Sequence, residues 1–100
     1  MPGTEPRLSP QAQKDLRDIW LYGVDKWSRE HANAYVNSLR HSIEMIGSRP
    51  RMGRELKNIK PPVRVHTSGQ HVIVYQIVDD HVEVIRIPAS RQDWQTLLGK

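Results

Sequence analysis

The chain has 100 residues, of which 37% are hydrophobic and 26% are charged, with a formal net charge of +4 and no cysteine. A chain of this length can enclose one hydrophobic core, so we predict a single globular domain spanning residues 1–100, with residues 1–5 as a flexible tail. No apolar run approaches the ~18 residues of a membrane span, no secretory signal is recognisable, and the absence of disulfides fits a cytoplasmic protein without a membrane partner.

Two amphipathic helices are predicted in the first half of the chain. Arg7–Leu8 has the character of a short edge strand, and Ser9-Pro10 supplies a helix N-cap followed by proline at the first helical position. The first helix should end near Asp25, and Ser28 should cap a second helix that ends at Gly47. Their apolar stripes are Ala12, Leu16, Ile19, Trp20 and Gly23, and then Ala32, Tyr35, Val36, Leu39, Ile43 and Ile46. The short link between them predicts an antiparallel helical hairpin.

The second half is predicted to be mainly β-sheet. Residues 48–60 are assigned to a loop, with one helical turn between Glu55 and Ile59. Strands at 63–67, 71–78 and 81–87, joined by turns at Ser68-Gly69 and Asp79-Asp80, predict an antiparallel three-stranded meander. The middle strand is apolar on both faces. We therefore predict an α+β fold in which the hairpin covers one face, with Trp94, Leu97 and Leu98 as candidates to cover the other.

The positive charge is concentrated in the second half of the chain. Residues 1–47 hold six Lys/Arg and six Asp/Glu, whereas residues 48–100 hold nine and five. The basic surface predicted from this excess consists of Arg49, Arg51, Arg54, Lys57, Lys60 and Arg64, which face only Glu55 within their segment. Such a segment attracts phosphates or an acidic protein, although a solvated, charge-rich linker has the same composition.

Side chains capable of acid–base or phosphate chemistry collect on the predicted sheet. They are Arg64, His66, His71, Tyr75, Arg86 and Arg91. This inventory would suffice for metal-independent RNA cleavage, but ordinary polar residues at a sheet edge have the same pattern. The five histidines lack the spacing of a metal site, so neither a metal nor another cofactor is predicted. Arg86 either leaves the sheet to meet a partner or is held by Asp93 or Glu83, and Asp93 is expected to pair with an arginine that fixes the tail.

Several segments in a fixed order resemble the ParE branch of the RelE/ParE toxin superfamily. The resemblance spans residues 7–98 and rests on Leu8-Ser9-Pro10-Gln11-Ala12, Asp15-Leu16, Ile19-Trp20, Tyr35, Leu39, Ile43, residues 49–54, residues 69–75, Arg86-Ile87 and Arg91-Gln92-Asp93-Trp94. It implies the toxin of a type II toxin–antitoxin pair that inhibits DNA gyrase, is not an enzyme, and meets DNA only through gyrase or the antitoxin. It also implies an acidic antitoxin, partly disordered when free, that binds the toxin directly.

The resemblance implies that residues of the C-terminal tail are needed for toxicity. Its candidate residues are Arg86, Arg91, Asp93 and Trp94, supported by the basic surface. The alternative is a ribosome-dependent mRNA endoribonuclease of the RelE type, which would use His66, His71 or Tyr75 with Arg64 and Arg91. The chain departs from the ParE pattern at Pro88-Ala89, where relatives commonly carry Leu-His. The missing histidine weakens the nuclease interpretation and leaves room for a changed target or reduced toxicity.

Overall fold

A computed structural model describes residues 5–99, with side chains described through residue 96. Of the predicted flexible tail, residues 1–4 lie outside this range, and so do the side chains of Leu97 and Leu98. The elements in chain order are β1 (Arg7–Leu8), α1 (Pro10–Lys26), α2 (Arg29–Ser48), a 3₁₀ turn (Pro50–Met52), β2 (Arg54–Leu56), β3 (Val63–Ser68), β4 (His71–Val78), β5 (His81–Arg86) and α3 (Trp94–Gly99). Within the described range, no helix combines the length and apolar character needed to cross a membrane.

Both long helices begin at the predicted serine caps. The Ser9 hydroxyl accepts a hydrogen bond from the Ala12 N–H at 3.0 Å, and Ser28 accepts one from the His31 N–H at 3.0 Å. These bonds satisfy backbone donors that a helix start leaves without partners. The Ser9 hydroxyl also donates to the Ile85 carbonyl at 2.8 Å, which fastens the start of α1 to β5. The predicted hairpin is confirmed, and each helix ends within a residue of the expected position.

The sheet has five strands in the order β1-β5-β4-β3-β2. The predicted antiparallel meander of β3, β4 and β5 is confirmed, and the short β1 joins it parallel to β5. Asp79 and Asp80 form the β4–β5 turn with φ of 49° and 70°, the left-handed conformation that a two-residue hairpin requires. Gly69, at φ 61°, serves the β3–β4 turn in the same way.

The segment 48–60 differs from its prediction as a loop. It contains the 3₁₀ turn and then β2, in which Glu55 lies opposite Arg64 on β3. The helical turn expected between Glu55 and Ile59 was therefore wrong for Glu55 and Leu56, which belong to a strand. Strand β2 is thus the one described strand that was not expected, since the N-terminal edge strand β1 was predicted and is confirmed, and the parallel pairing of β1 with β5 makes the five-stranded sheet mixed. Arg-Glu-Leu has little intrinsic strand preference, and pairing with the neighbouring strand decides its conformation.

Apolar side chains cover β4 on both faces, as the sequence predicted. Ile73 and Tyr75 face the helical hairpin, and the core on that side also contains Ala12, Leu16, Val36, Leu39, Ile43, Ile46, Val82, Val84 and Ile87. Val72 and Val74 face the opposite side with Leu56, Ile59, Val63 and Val65. Trp94 packs against this second cluster, which confirms its predicted place. The two cores hold the sheet rigidly between the hairpin and the end of the chain.

Candidate functional site

Asp15 holds the point at which the chain leaves the sheet. Its carboxylate accepts hydrogen bonds from Arg86 Nε at 3.0 Å, from Arg86 Nη2 at 3.3 Å and from the Ile87 N–H at 2.8 Å. The hydrogen bond to this carboxylate raises the pKa of Arg86 further above its usual value. Helix α1 therefore fixes both the side chain at the end of β5 and the backbone that follows it.

Tyr35, on α2, holds the neighbouring turn between β3 and β4. Its hydroxyl accepts a hydrogen bond from the Gln70 N–H at 2.9 Å and lies 2.7 Å from His71 Nδ1. The hydroxyl donates to Nδ1 when that nitrogen is unprotonated and accepts from it when it is protonated, so the tautomer of His71 sets the direction of this bond. Burial lowers the pKa of His71, and the negative charge of Asp15 opposes this only in part. The site therefore favours a neutral imidazole at His71.

The backbone after β5 continues along β4. The Val72 N–H donates to the Pro88 carbonyl at 2.9 Å, and the Ser90 N–H donates to the Gln70 carbonyl at 2.9 Å. The tail thus keeps its path even though proline at position 88 cannot donate a hydrogen bond. The difference from the ParE pattern at Pro88-Ala89 therefore changes side chains of the tail, but the backbone of the tail remains hydrogen-bonded beside β4.

Two adjoining hollows lie between the hairpin and this tail. The first has a volume of about 260 Å³ and is lined mainly by aromatic side chains and small residues. The second has a volume of about 440 Å³ and runs beside the tail. His71 and Arg91 line both hollows, while Arg86 lines only the second. Arg91 is exposed and forms no ion pair with a described residue. We call these hollows, with Arg91 at their boundary, the tail cleft.

The four predicted tail residues do not form one cluster. Arg86 and Arg91 line the tail cleft, whereas Trp94 packs against the core on the opposite face of the sheet. Asp93 accepts a hydrogen bond from the Thr96 hydroxyl at 2.7 Å at the start of α3. The expected partner of Arg86 was wrong, because Asp15 binds it instead of Asp93 or Glu83, and Asp93 forms no ion pair with a described arginine.

The candidate nuclease residues share one face of the sheet. Arg64 lies opposite Tyr75 and His66 opposite Ile73, which places all of them on the face that the helices cover. Tyr75 is fully buried, and its hydroxyl donates to the Pro50 carbonyl at 2.7 Å and accepts from the Gly53 N–H at 2.9 Å. Burial raises the pKa of Tyr75, so its proton is held more tightly.

Hydrogen bonds to the backbone give Arg64 a structural role like that of Tyr75. Arg64 Nη1 donates to the Gly53 carbonyl at 2.8 Å and to the Arg51 carbonyl at 3.3 Å, and Nη2 lies 3.8 Å from Glu55. His71 begins β4 and Tyr75 lies four residues further on, a separation of about 13 Å along a strand. The imidazole and the phenol are therefore too far apart to act together on one scissile phosphate.

Sequence reasoning did not count Asp15 and Tyr35 among the site residues, although Tyr35 was placed in the apolar stripe of the second helix and both contributed to the resemblance. Asp15 lies between Ala12 and Ile19 at helical spacing, so it falls on the buried face of α1. A carboxylate in such a place requires a partner, and this is the signal that could have revealed it. Its partner is 71 residues away in sequence, and no local pattern specifies that distance.

The fold and the tail cleft define a class of small α+β proteins in which a helical hairpin lies across a mixed sheet and the segment after β5 runs beside the start of β4. A solved structure described as "Chromosomal ParDE TA system from P. aeruginosa" contains a chain with this fold. The TM-score is 0.73 at 17% identity, covering 86% of this chain and 95% of that one. At this identity, the likeness shows the fold alone.

Sequence comparison then identifies the family. The family model described as "ParE toxin of type II toxin-antitoxin system, parDE" matches residues 7–94. Toxin ParE1 of Caulobacter vibrioides is 42% identical over 93 residues, covering 93% of this chain and 96% of that protein. Toxin ParE1 of Mycobacterium tuberculosis is 33% identical over 87 residues, covering 86% and 89%. The chain belongs to the ParE toxin family of type II toxin–antitoxin systems, as the sequence resemblance predicted.

Proposed function

We propose that this ParE toxin inhibits DNA gyrase by binding it, and that it does so without turning over a substrate. The observation that carries the proposal is that polar groups inside the fold are engaged in internal hydrogen bonds, whereas a cation of the tail is exposed. The Tyr75 hydroxyl and His71 Nδ1 are engaged in internal hydrogen bonds, whereas Arg91 is exposed at the tail cleft. An exposed, unpaired cation beside apolar walls suits recognition of another macromolecule.

The remaining tail residues support this role by holding Arg91 in place. Arg86 is bound to Asp15 before the tail, and Trp94 packs on the far core after it. Asp93 binds Thr96 at the start of α3. Arg91 therefore lies on a short segment fixed at both ends, which limits the entropy lost when a partner binds.

Purified gyrase provides the direct test. The toxin should reduce supercoiling and increase the amount of cleaved DNA, and Arg91→Gln should weaken both effects about ten-fold or more. The matched control is Arg17→Gln, which removes the same charge from an exposed position of α1. Unchanged supercoiling and no cleaved DNA with the wild-type toxin would reject gyrase as the target. Primer extension on translated mRNA tests the RelE-type alternative, because gyrase inhibition predicts no new cleavage ends.

Neutralisation by an antitoxin that covers the hairpin is the second part of the proposal. Leu21, Tyr22 and Trp27 are 51%, 62% and 67% exposed near the tip of the hairpin, and the last two line the tail cleft. An acidic chain that is partly disordered when free could fold over this apolar surface as it binds. Any contact with DNA would be made through the antitoxin or gyrase, in the cytoplasm.

The solubility of the toxin tests this second part. The toxin alone should be less soluble than its complex with the product of the neighbouring gene, because binding covers the exposed apolar side chains. Equal solubility and equal thermal stability with and without that product would count against an antitoxin on the hairpin.

A further inference from the structure

A second cationic surface lies at the end of the sheet opposite the tail cleft. His71 begins β4 at the tail cleft, and Ile77, six residues further along β4, lines a hollow with Arg49 and Arg51. Six strand residues separate the two places by about 20 Å. We call residues 49–54, which form the 3₁₀ turn and its flanks, the cationic turn.

Most cations of this region form no ion pair with a described residue. Within the described part of the chain, none of the following forms an ion pair: Arg49, Arg51, Arg54, Lys57 and Lys60. Arg64 differs, because it binds Glu55 and the backbone of the turn. The chain therefore carries five exposed positive charges within twelve residues, and none of the five forms an ion pair with a described carboxylate.

Buried side chains hold the cationic turn in one conformation. Tyr75 binds the Pro50 carbonyl and the Gly53 N–H, and Arg64 binds the Gly53 and Arg51 carbonyls. A Cβ at Gly53 would lie 2.5 Å from the Tyr75 hydroxyl, so glycine permits this close approach. The backbone of the turn is thus fixed before any partner arrives, which lowers the entropic cost of binding.

The hollow beside the cationic turn has an apolar floor. It measures about 540 Å³, and Pro50, Met52 and Ile77 line it between the two arginines, with Asp80 as the one carboxylate of the lining. Ile77 is 36% exposed, and Met45, near the end of α2, is 43% exposed. Cations around an apolar floor fit a peptide that alternates acidic and apolar residues. Nucleic-acid phosphates would use the cations but would leave the apolar floor uncovered.

We propose that the cationic turn is a second docking surface of the antitoxin, which places an acidic segment with an apolar side chain over Met52 and Ile77. This inference rests on the proposed antitoxin partner and adds a contact separate from the hairpin. Helix α2 connects the two surfaces: from Trp27, two residues before its start, to Met45 near its end is about 27 Å at the helical rise per residue. About eight extended residues span that distance, so one antitoxin chain reaches both surfaces.

Binding kinetics of toxin and antitoxin test the proposal, with the antitoxin immobilised and the salt concentration varied. The double variant Arg49→Gln/Arg51→Gln should associate about ten-fold more slowly at low salt, and the difference should shrink at high salt, because exposed charges act mainly by steering association. Ile77→Thr retains strand preference and should instead speed dissociation about ten-fold, with little dependence on salt. The matched control is Arg7→Gln/Arg40→Gln, which removes two exposed charges at the β1 side of the molecule.

Each outcome bears on the proposal. Slower association for the double variant together with faster dissociation for Ile77→Thr supports it. Wild-type kinetics in both variants overturn it, and an equal effect in the control shows a general charge effect and also overturns it. Loss of binding to a DNA duplex, with antitoxin kinetics unchanged, would assign the surface to nucleic acid. If the wild-type toxin binds no antitoxin, the proposed partner itself fails, and that result is distinct from a defect confined to the variants.

Discussion

Asp15→Asn tests whether the hairpin holds the tail. The carboxylate accepts two hydrogen bonds from Arg86 and one from the Ile87 N–H, and its side chain is 15% exposed against 28% for the arginine. Asparagine has nearly the same shape and keeps one acceptor oxygen, but it loses the charge. A hydrogen bond to a charged group contributes about 1.5–3 kcal/mol, and the partial exposure of this pair places the total loss at about 2 kcal/mol.

Urea and thermal unfolding of the isolated toxin measure this loss. For a domain of this size, about 2 kcal/mol corresponds to a fall in melting temperature of roughly 10 °C. Asp18→Asn is the matched control on the same helix, since its ion pair with Lys14 is 54–58% exposed and should contribute less than about 0.5 kcal/mol. Equal destabilisation by the two substitutions would refute the structural role of Asp15. The Asp15 variant should also weaken gyrase inhibition at a temperature where it remains folded, because Arg86 and the start of the tail lose part of their anchor.

Three further predictions concern buried contacts and pH. Tyr75→Phe should lower the free energy of unfolding in urea by about 1–3 kcal/mol, because it leaves two backbone groups of the cationic turn without their partner, whereas Tyr22→Phe at an exposed site should have almost no effect. Gly53→Ala should cost a similar amount, since its Cβ would lie 2.5 Å from the Tyr75 hydroxyl; a melting temperature equal to wild type would contradict this contact. His71 has a lowered pKa in the folded state, so the unfolded state binds more protons and stability should fall as pH drops below about 6.5. His71→Gln should flatten that slope and His31→Gln should not; identical slopes in wild type and the His71 variant would disprove the argument.

Local chemistry was sufficient to predict the helices and the β4–β5 turn. Ser9 and Ser28 cap the helices because their hydroxyls reach backbone N–H groups three residues later. Asp79-Asp80 forms the tight turn because aspartate tolerates the left-handed conformation better than most residues. These features depend on residues a few positions apart, so the sequence alone contains the relevant information.

The features that sequence reasoning missed depend on distant partners. Strand β2 exists because β3 offers a free edge, and nothing in its three residues would predict a strand. The predicted acid–base residues do share a face of the sheet, but the sequence could not reveal that Pro50 and Gly53 occupy the Tyr75 hydroxyl. The identity of a residue indicates the chemistry it can perform, whereas its partners decide whether that chemistry is available.

The departure at Pro88-Ala89 bears on how this toxin acts. The Ile87 N–H binds Asp15 and the Pro88 carbonyl binds Val72, so the tail follows β4 without a donor at position 88. At position 89 the tail cleft has a methyl group where the family resemblance led us to expect an imidazole. Among the described residues that line the hollow beside the tail, His71 is the one histidine. Its Nδ1 is hydrogen-bonded to the Tyr35 hydroxyl. Recognition of a partner requires only Arg91 and the apolar walls and no proton carrier at position 89, which agrees with the proposal that this toxin acts by binding.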